Sequence, residues 1–305
     1  MVLYFISEMT PGPGISSRVS RRFAGLREAG EMGIVAYITA GDPFLDATGR
    51  FVAALAGAGA DVIELGVPFS DPLADGPTIQ RASERALKSG TTLEGVLDLI
   101  RQIRSSGSPG RDVPIVVFSY YNPILQMGLE RFAVAAARAG ADGALVTDLT
   151  PEESDDYRRI LGGHGLDTVF LAAPTSTDDR LARIAQCSSG FLYLISRTGV
   201  TGAKDALPDD LPVLLRRARR VTELPIAVGF GISLPGHVSI LGGLADAAVV
   251  GSALVSEIEN AARSSSPAAI EAAAAALSAR LGALKAAART GLSRRDPAAK
   301  QEVVP

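Results

Sequence analysis

The stretch DVIELGVPFSDPLADGPTIQ, residues 61–80, runs from a short apolar segment into a proline-rich loop. Glu64 interrupts the apolar segment and Asp75 lies in the loop. A short run that is apolar throughout is typical of a strand in a parallel sheet covered on both faces. Successive side chains of a strand alternate between its faces, so Glu64 points into a barrel if Ile63 and Leu65 face surrounding helices.

Similar short runs alternate with amphipathic stretches along the chain, and we count eight, near residues 33, 61, 113, 142, 168, 190, 225 and 246. The segments AGAGADVIEL, ARAGADGALV and GGLADAAVVG repeat one helix-to-strand junction. The pattern predicts an α/β fold, a (β/α)8 TIM barrel. An open doubly wound sheet is the alternative, but TAGDPFLD after the first strand is not a dinucleotide-binding loop.

Helical patterns outside the simple repeat define the domain organisation. SSRVSRRFAGLREAGE predicts an N-terminal helix over the barrel bottom, and TIQRASERALKSG with TLEGVLDLIRQIR predicts an extra helix after strand 2. We divide the chain into a disordered lead (1–15), a single catalytic barrel domain (16–290) and a flexible tail (291–305).

Composition limits the function classes. The chain has 305 residues and a formal net charge of -3, without the positive excess that nucleic-acid binding needs. The apolar run VLYFI is too short for a signal sequence or a membrane span. Because Cys187 is the single cysteine, an internal disulfide is impossible, and we expect a cytoplasmic location with no nucleic-acid or membrane partner.

Two carboxylates are the candidate catalytic groups. Inside a barrel, Glu64 loses solvent, which raises its pKa and suits it to proton transfer near neutral pH. The stiff loop returns Asp75 toward the barrel mouth, where such enzymes carry their chemistry. The alternative for Glu64 is a surface charge at a frayed strand end. Tyr120 or Tyr193 are further acid–base candidates, and we expect no metal site because histidine and cysteine are too scarce for zinc.

Glycine-bearing segments after the last three strands predict an anion site. They are SRTGVTGA at 196–203, GFGIS at 229–233 and GSAL at 251–254. Barrels often bind phosphate through backbone N–H groups of the loops after strands 7 and 8. The predicted phosphate-binding residues are Gly202, Gly231, Gly251 and Ser252.

From about residue 17 to 290 the chain resembles the tryptophan synthase α-subunit family. The motifs that carry the resemblance, in the family's order, are TAGDP, IELGVPFSDPLADGPTIQ, YYNPI, DLTPEE, SRTGVTGA, GFGIS and VVGSA. The resemblance implies cofactor-free retro-aldol cleavage of indole-3-glycerol phosphate to indole and glyceraldehyde 3-phosphate. Glu64 would exchange protons with the substrate, and Asp75 would pair with the ring N–H.

The resemblance also implies a substrate pocket and a partner. The pocket residues carried over are Tyr37, Phe118, Tyr120, Leu145, Leu171, Tyr193, Thr201, Phe230 and Ile232. The implied partner is a β subunit that carries pyridoxal phosphate and converts indole to tryptophan, in an α2β2 tetramer. The residues implied to face it are Pro68, Asp71, Pro72 and Asn122. Thr147 and Thr150 depart from the family pattern near the barrel mouth.

Three other functions share parts of this pattern. A stand-alone lyase that releases free indole would keep every catalytic residue. A non-catalytic regulatory subunit would keep only the fold, which intact Glu64 and Asp75 disfavour. A different phosphosugar isomerase would need only the phosphate site, and the segment from Glu64 to Gly76 argues against it.

Overall fold

The computed structural model describes residues 17–196, 207–229 and 231–290. It contains one sheet whose strand pairs are all parallel. Within the described ranges the strands are β1 (Gly33–Thr39), β2 (Val62–Gly66), β3 (Ile115–Ser119), β4 (Gly143–Val146), β5 (Asp167–Val169), β6 (Leu171–Ala172), β7 (Leu192–Ile195), β8 (Ile226–Gly229) and β9 (Ala247–Val250).

Helices connect and cover these strands. Those described are α1 (Arg18–Glu28), α2 (Leu45–Gly57), α3 (Pro77–Lys88), α4 (Leu93–Ser105), α5 (Tyr121–Met127), α6 (Leu129–Ala139), α7 (Asp155–Gly163), α8 (Asp178–Cys187), α9 (Leu211–Arg219), α10 (Pro235–Leu241), α11 (Ser252–Ala262) and α12 (Pro267–Thr290). The parallel sheet and its helical cover confirm the predicted TIM barrel.

The barrel closes at its fifth position, where the predicted strand is split. The strand order is β5-β4-β3-β2-β1-β9-β8-β7-β6, so the ends of the sheet are consecutive in the chain and meet at Phe170. Up to Val169 the chain pairs with β4, and from Leu171 it pairs with β7. The eight predicted strands therefore occur as nine, because the ladder changes partner at Phe170.

Side-chain alternation sorts the core into two layers. In β2, Ile63 and Leu65 pack in the layer between sheet and helices, whereas Val62 packs inside the barrel. Helix α1 places Val19, Phe23 and Leu26 against the same interior cluster. The predicted N-terminal helix therefore fills the end of the barrel opposite the strands' carboxyl ends.

The two helices predicted between the second and third strands are present. Gly76 is the N-cap of α3, Pro77 opens it, and Gly90 follows its end with a φ of 82° that suits glycine. The threonine side chain of Thr92 caps α4 by accepting the N–H of Gly95 at 3.1 Å. The sequence did not predict α5, a short helix in the YYNPI segment that ends at Met127 and has Gly128 as its C-cap.

Candidate active site

Glu64 lies on the inner face of β2, opposite Tyr37 of β1 and Val116 of β3 in the sheet register. Its side chain is fully buried, and neither carboxyl oxygen has a hydrogen-bond partner in the described part of the chain. Burial raises the pKa of Glu64 to about 8, because a charged carboxylate loses its hydration there. At neutral pH this group is mainly a carboxylic acid that can donate a proton.

Asp75 lies in the loop between β2 and α3, and local contacts fix its backbone. Its N–H donates to the carbonyl of Pro72 at 3.0 Å, and its own carbonyl accepts the side-chain amide of Gln80 at 2.9 Å. The hydroxyl of Tyr120 donates to Oδ2 of Asp75 at 3.1 Å. Burial raises the pKa of Asp75 to about 6, against the opposing effect of that hydrogen bond. At neutral pH Asp75 is therefore mainly a carboxylate.

Both carboxyl groups line one cavity. Its walls combine apolar side chains with few polar ones. The lining residues are Tyr37, Glu64, Ala74, Asp75, Gly76, Ile79, Phe118, Tyr193, Gly231, Ile232, Val249, Gly251 and Ser252. The Tyr37 and Phe118 rings meet edge to face at 5.0 Å between centroids. A flat aromatic ring is the kind of ligand that such walls accept.

Two glycines leave room for the hydroxyl groups of two tyrosines that line the cavity. A β carbon on Gly66 would collide with the hydroxyl of Tyr37, and one on Gly229 would collide with the hydroxyl of Tyr193. Each glycine belongs to the strand beside the tyrosine's own strand. Burial holds the pKa values of Tyr37 and Tyr193 well above their usual range, so both hydroxyl groups stay protonated.

Another part of the cavity lining has the features of an anion site. Gly251 is the N-cap of α11, and Ser252 is the first residue of that helix. The first turn of a helix carries N–H groups without intrahelical partners and the positive end of the helix dipole. Gly231 lies beside them with a φ of 89°, a conformation that glycine adopts without strain. This wall can hold a phosphate group.

The structure groups most of the predicted site residues. Those that line the cavity are Glu64, Asp75, Tyr37, Phe118, Tyr193, Ile232, Gly231, Gly251 and Ser252. Tyr120 contributes through its hydrogen bond to Asp75. Leu145 is not in the cavity lining but in the interior cluster that includes α1 side chains, and Leu171 packs against that cluster. Thr201, Gly202 and Phe230 lie outside the described residues.

Ala74, Gly76, Ile79 and Val249 line the cavity without having been predicted. Three of them flank Asp75 or follow it within one helical turn, so the loop motif itself was the available signal. Val249 alternates with the outward-facing Ala248 and Val250 in β9. That period of two indicates an inward side chain.

The residues expected to face a partner differ in exposure. Asp71 and Asn122 are exposed, Pro72 is partly exposed, and Pro68 is buried within this chain. The prediction omitted Leu73, which is 90% exposed at the tip of the same loop. Leu73 and Asp71 are therefore both exposed in the loop between β2 and α3.

A known protein family and several of its members match this chain. The family profile of the tryptophan synthase alpha chain matches residues 23–288. A tryptophan synthase alpha chain of Solibacter usitatus is 52% identical over 248 residues, covering 81% of this chain and 91% of that protein. One of Caulobacter vibrioides is 48% identical over 246 residues, covering 81% and 88%.

Solved structures agree with the sequence matches. Tryptophan synthase subunit alpha from Legionella pneumophila superposes with a TM-score of 0.80 at 35% identity, covering 90% of this chain and 100% of that one. A tryptophan synthase structure from Mycobacterium tuberculosis gives a TM-score of 0.80 at 34% identity, covering 90% and 99%. The chain belongs to the tryptophan synthase alpha chain family.

The tryptophan synthase alpha chain is a carbon–carbon lyase that cleaves indole-3-glycerol phosphate. The cavity combines aromatic side chains with the N-terminus of α11. The described residues contain no group of three or more histidine, cysteine or acidic side chains that could hold a metal ion. They also contain no helix long and apolar enough to cross a bilayer.

Proposed function

We propose that Glu64 and Asp75 are the acid–base pair with which this chain cleaves indole-3-glycerol phosphate. The observation that carries the proposal is the fully buried carboxyl group of Glu64, which shares a cavity with Asp75. A group kept neutral near pH 7 can act first as an acid and then, once ionised, as a base.

In the proposed reaction Glu64 gives its proton to C3 of the indole ring, and positive charge develops on the ring nitrogen. The new Glu64 carboxylate then removes the proton of the hydroxyl on the adjoining glycerol carbon. The carbon–carbon bond breaks as that carbon becomes an aldehyde, and the bond's electrons return to the ring. Indole and glyceraldehyde 3-phosphate leave, and Glu64 is protonated again.

Asp75 acts on the charge that forms during this sequence. As a carboxylate it accepts a hydrogen bond from the ring N–H, which becomes more acidic as C3 is protonated. The interaction is therefore stronger in the transition state than in the ground state, which is what accelerates a reaction. Tyr120 keeps the Asp75 side chain oriented.

The phosphate of the substrate is proposed to bind at Gly231, Gly251 and Ser252, which line the cavity. Backbone N–H groups at the start of α11 supply the hydrogen bonds. Gly202 would add a donor and Thr201 would help to hold Asp75, although both residues lie outside the described part of the chain. Binding energy from the non-reacting phosphate positions the ring between the two carboxyl groups.

The family works with a β subunit, and we propose an α2β2 tetramer in which that subunit carries pyridoxal phosphate and uses the indole. Leu73 and Asp71 would contact it at the exposed loop, with Pro72 and Asn122 beside them. Transfer of indole between the subunits distinguishes this assembly from a stand-alone lyase. The cytoplasmic location stays a prediction.

Indole release by the purified chain tests the catalytic roles. Glu64→Gln and Asp75→Asn should each lower kcat by about a hundredfold or more. Asp98→Asn is the control, because that carboxylate is exposed on α4. Wild-type activity retained in Glu64→Gln would contradict the mechanism. A β subunit should raise the rate, and an unchanged rate would favour the stand-alone lyase.

A further inference from the structure

Four charged residues form a cluster outside the cavity. Arg85 of α3 holds the buried carboxylate of Asp42 in a two-pronged contact, with both distances 2.8 Å. Arg81 of α3 holds Glu259 of α11 in the same way, at 2.8 and 3.1 Å. Arg85 also reaches Glu259 at 3.4 Å. We call these four residues the α3–α11 clamp.

The clamp bridges two helices that are distant in sequence but meet over β1. Strand β1 pairs with β2 on one side and with β9 on the other. Helix α3 follows β2, and α11 follows β9, so the two helices flank β1. Asp42 comes from the loop after β1 and completes the contact between them.

Each of the two helices carries one half of the proposed substrate site at its start. Asp75 and Gly76 immediately precede α3, and Gly251 and Ser252 begin α11. Beneath them, Tyr37 packs with Ala82 of α3 and Val255 of α11 in one small apolar cluster. The packing of α3 against α11 therefore sets the distance from Asp75 to the phosphate wall.

The contact between Arg85 and Glu259 lies at matching depths along the two helices. Arg85 comes eight residues after Pro77, and Glu259 comes seven after Ser252. At about 1.5 Å per residue, these positions are roughly 12 and 10 Å from the helix starts. These ion pairs, together with the apolar cluster of Tyr37, Ala82 and Val255, resist a change in the relative tilt of the two helices.

We propose that Arg81, Arg85 and Glu259 are positioning residues that fix the separation between Asp75 and the phosphate wall. The inference rests on the proposed function, because it takes those two groups as the sites for the ring N–H and the phosphate. A ligand that spans both sites depends on this separation, whereas a ligand that fills one site does not. A misplacement of about 1 Å at reacting groups can lower a rate about a hundredfold.

Glu259→Gln is the test variant. The Glu259 side chain is 26% exposed, and the substitution leaves Arg85 paired with the buried Asp42. Glu257→Gln is the matched control. Glu257 lies on the same helix, is 22% exposed and pairs with an arginine at 2.6 Å, but that arginine, Arg280, belongs to α12. Glu259 loses its contacts with two arginines and Glu257 its contact with one, but both sites are partly exposed, where such pairs contribute little to stability.

Rate constants and the affinities for three ligands distinguish a changed separation between Asp75 and the phosphate wall from local damage to α11. The spanning ligands are indole-3-glycerol phosphate and an analogue whose indole and phosphate are joined by an unsubstituted propyl chain. The single-site ligand is inorganic phosphate, measured as an inhibitor of the full chain. We expect Glu259→Gln to lower kcat/KM and affinity for the analogue about tenfold, with affinity for inorganic phosphate within about twofold of wild type.

Arg81→Gln should cause a similar loss, and the double variant should lose little more than either single one, because both changes remove the same contact. Equal effects of Glu257→Gln and Glu259→Gln would overturn the proposal. So would an equal loss of affinity for phosphate and for the analogue, because that indicates damage to α11 alone. Failure of the wild-type chain to release indole would instead overturn the proposed function.

Discussion

The hydroxyl of Tyr120 donates a hydrogen bond to Oδ2 of Asp75 at 3.1 Å and accepts one from the backbone N–H of Ala74 at 2.9 Å. The two contacts tie the loop after β2 to the residue that follows β3. The first contact also favours the ionised form of Asp75, because a donated hydrogen bond stabilises a carboxylate.

Tyr120→Phe removes both hydrogen bonds and keeps the ring that stacks on Phe69 at 4.9 Å. We expect the pKa of Asp75 to rise further above its ordinary value, since the opposing hydrogen bond is gone. Activity at pH 6.5 should fall about three- to tenfold, and less at pH 7.5. The check is kcat/KM against pH for both proteins. A uniform loss at every pH would show that the Tyr120 hydroxyl orients Asp75 without affecting its pKa.

The two carboxyl groups predict a bell-shaped pH profile. Activity needs Asp75 ionised and Glu64 protonated, and their pKa values are raised to about 6 and about 8. The rate should therefore rise through about pH 6 and fall through about pH 8. Asp75→Asn should lose the acid limb of the profile while keeping the alkaline limb. An acid limb that persists unchanged in this variant would assign it to another group.

Glu64→Gln should stabilise the fold while removing activity. The folded pKa of Glu64, about 8, exceeds the ordinary value of 4.5, so between these pH values the folded chain binds more protons than the unfolded one. The contribution of Glu64 to stability is fully present below pH 4.5 and is lost as pH rises toward 8. A glutamine at this position does not titrate, so its contribution to stability does not fall as the pH rises.

Denaturant unfolding at pH 5 and pH 8 measures this effect. The free energy of unfolding of the variant should rise relative to that of the wild type as pH rises, by an amount on the order of a few kcal/mol across the range. Asp98→Asn, at an exposed site, should show no such trend. If the stability difference between Glu64→Gln and wild type stays constant with pH, the carboxyl group is already ionised in the fold.

Gly66→Ala should damage the site through Tyr37. The new β carbon would meet the tyrosine hydroxyl and ring, and both belong to the cavity wall beside Glu64. We expect a loss of about 1–3 kcal/mol in stability and at least a tenfold fall in kcat/KM. Adding Tyr37→Phe removes the hydroxyl, which is the closest atom, and should restore part of the stability.

Gly25→Ala is the control for this substitution. Gly25 is exposed within α1, and an added β carbon meets nothing within 4 Å. Alanine should therefore stabilise that helix by about 0.5–1 kcal/mol without affecting activity. Thermal unfolding and kcat/KM of the two alanine variants give the comparison.

The chain's own periodicity determined the barrel and the inward direction of Glu64. A period of two fixes which face a strand residue occupies, and eight repeats of strand and helix predict closure. The same alternation does not determine how far along the barrel axis a side chain lies. Leu145 faces inward as predicted but packs with α1 rather than around the cavity, because barrel strands are tilted and a residue's height depends on its neighbours.

Tertiary structure alone decided the contacts between distant segments. Tyr120 reaches Asp75 across 45 positions of the chain, and Arg81 reaches Glu259 across 178. Neither pair has a local signature, since the residues meet only when the sheet brings β2 beside β3 and places α3 and α11 on either side of β1. The sequence thus identified the candidate carboxyl groups, and the closed sheet determined the distances between them.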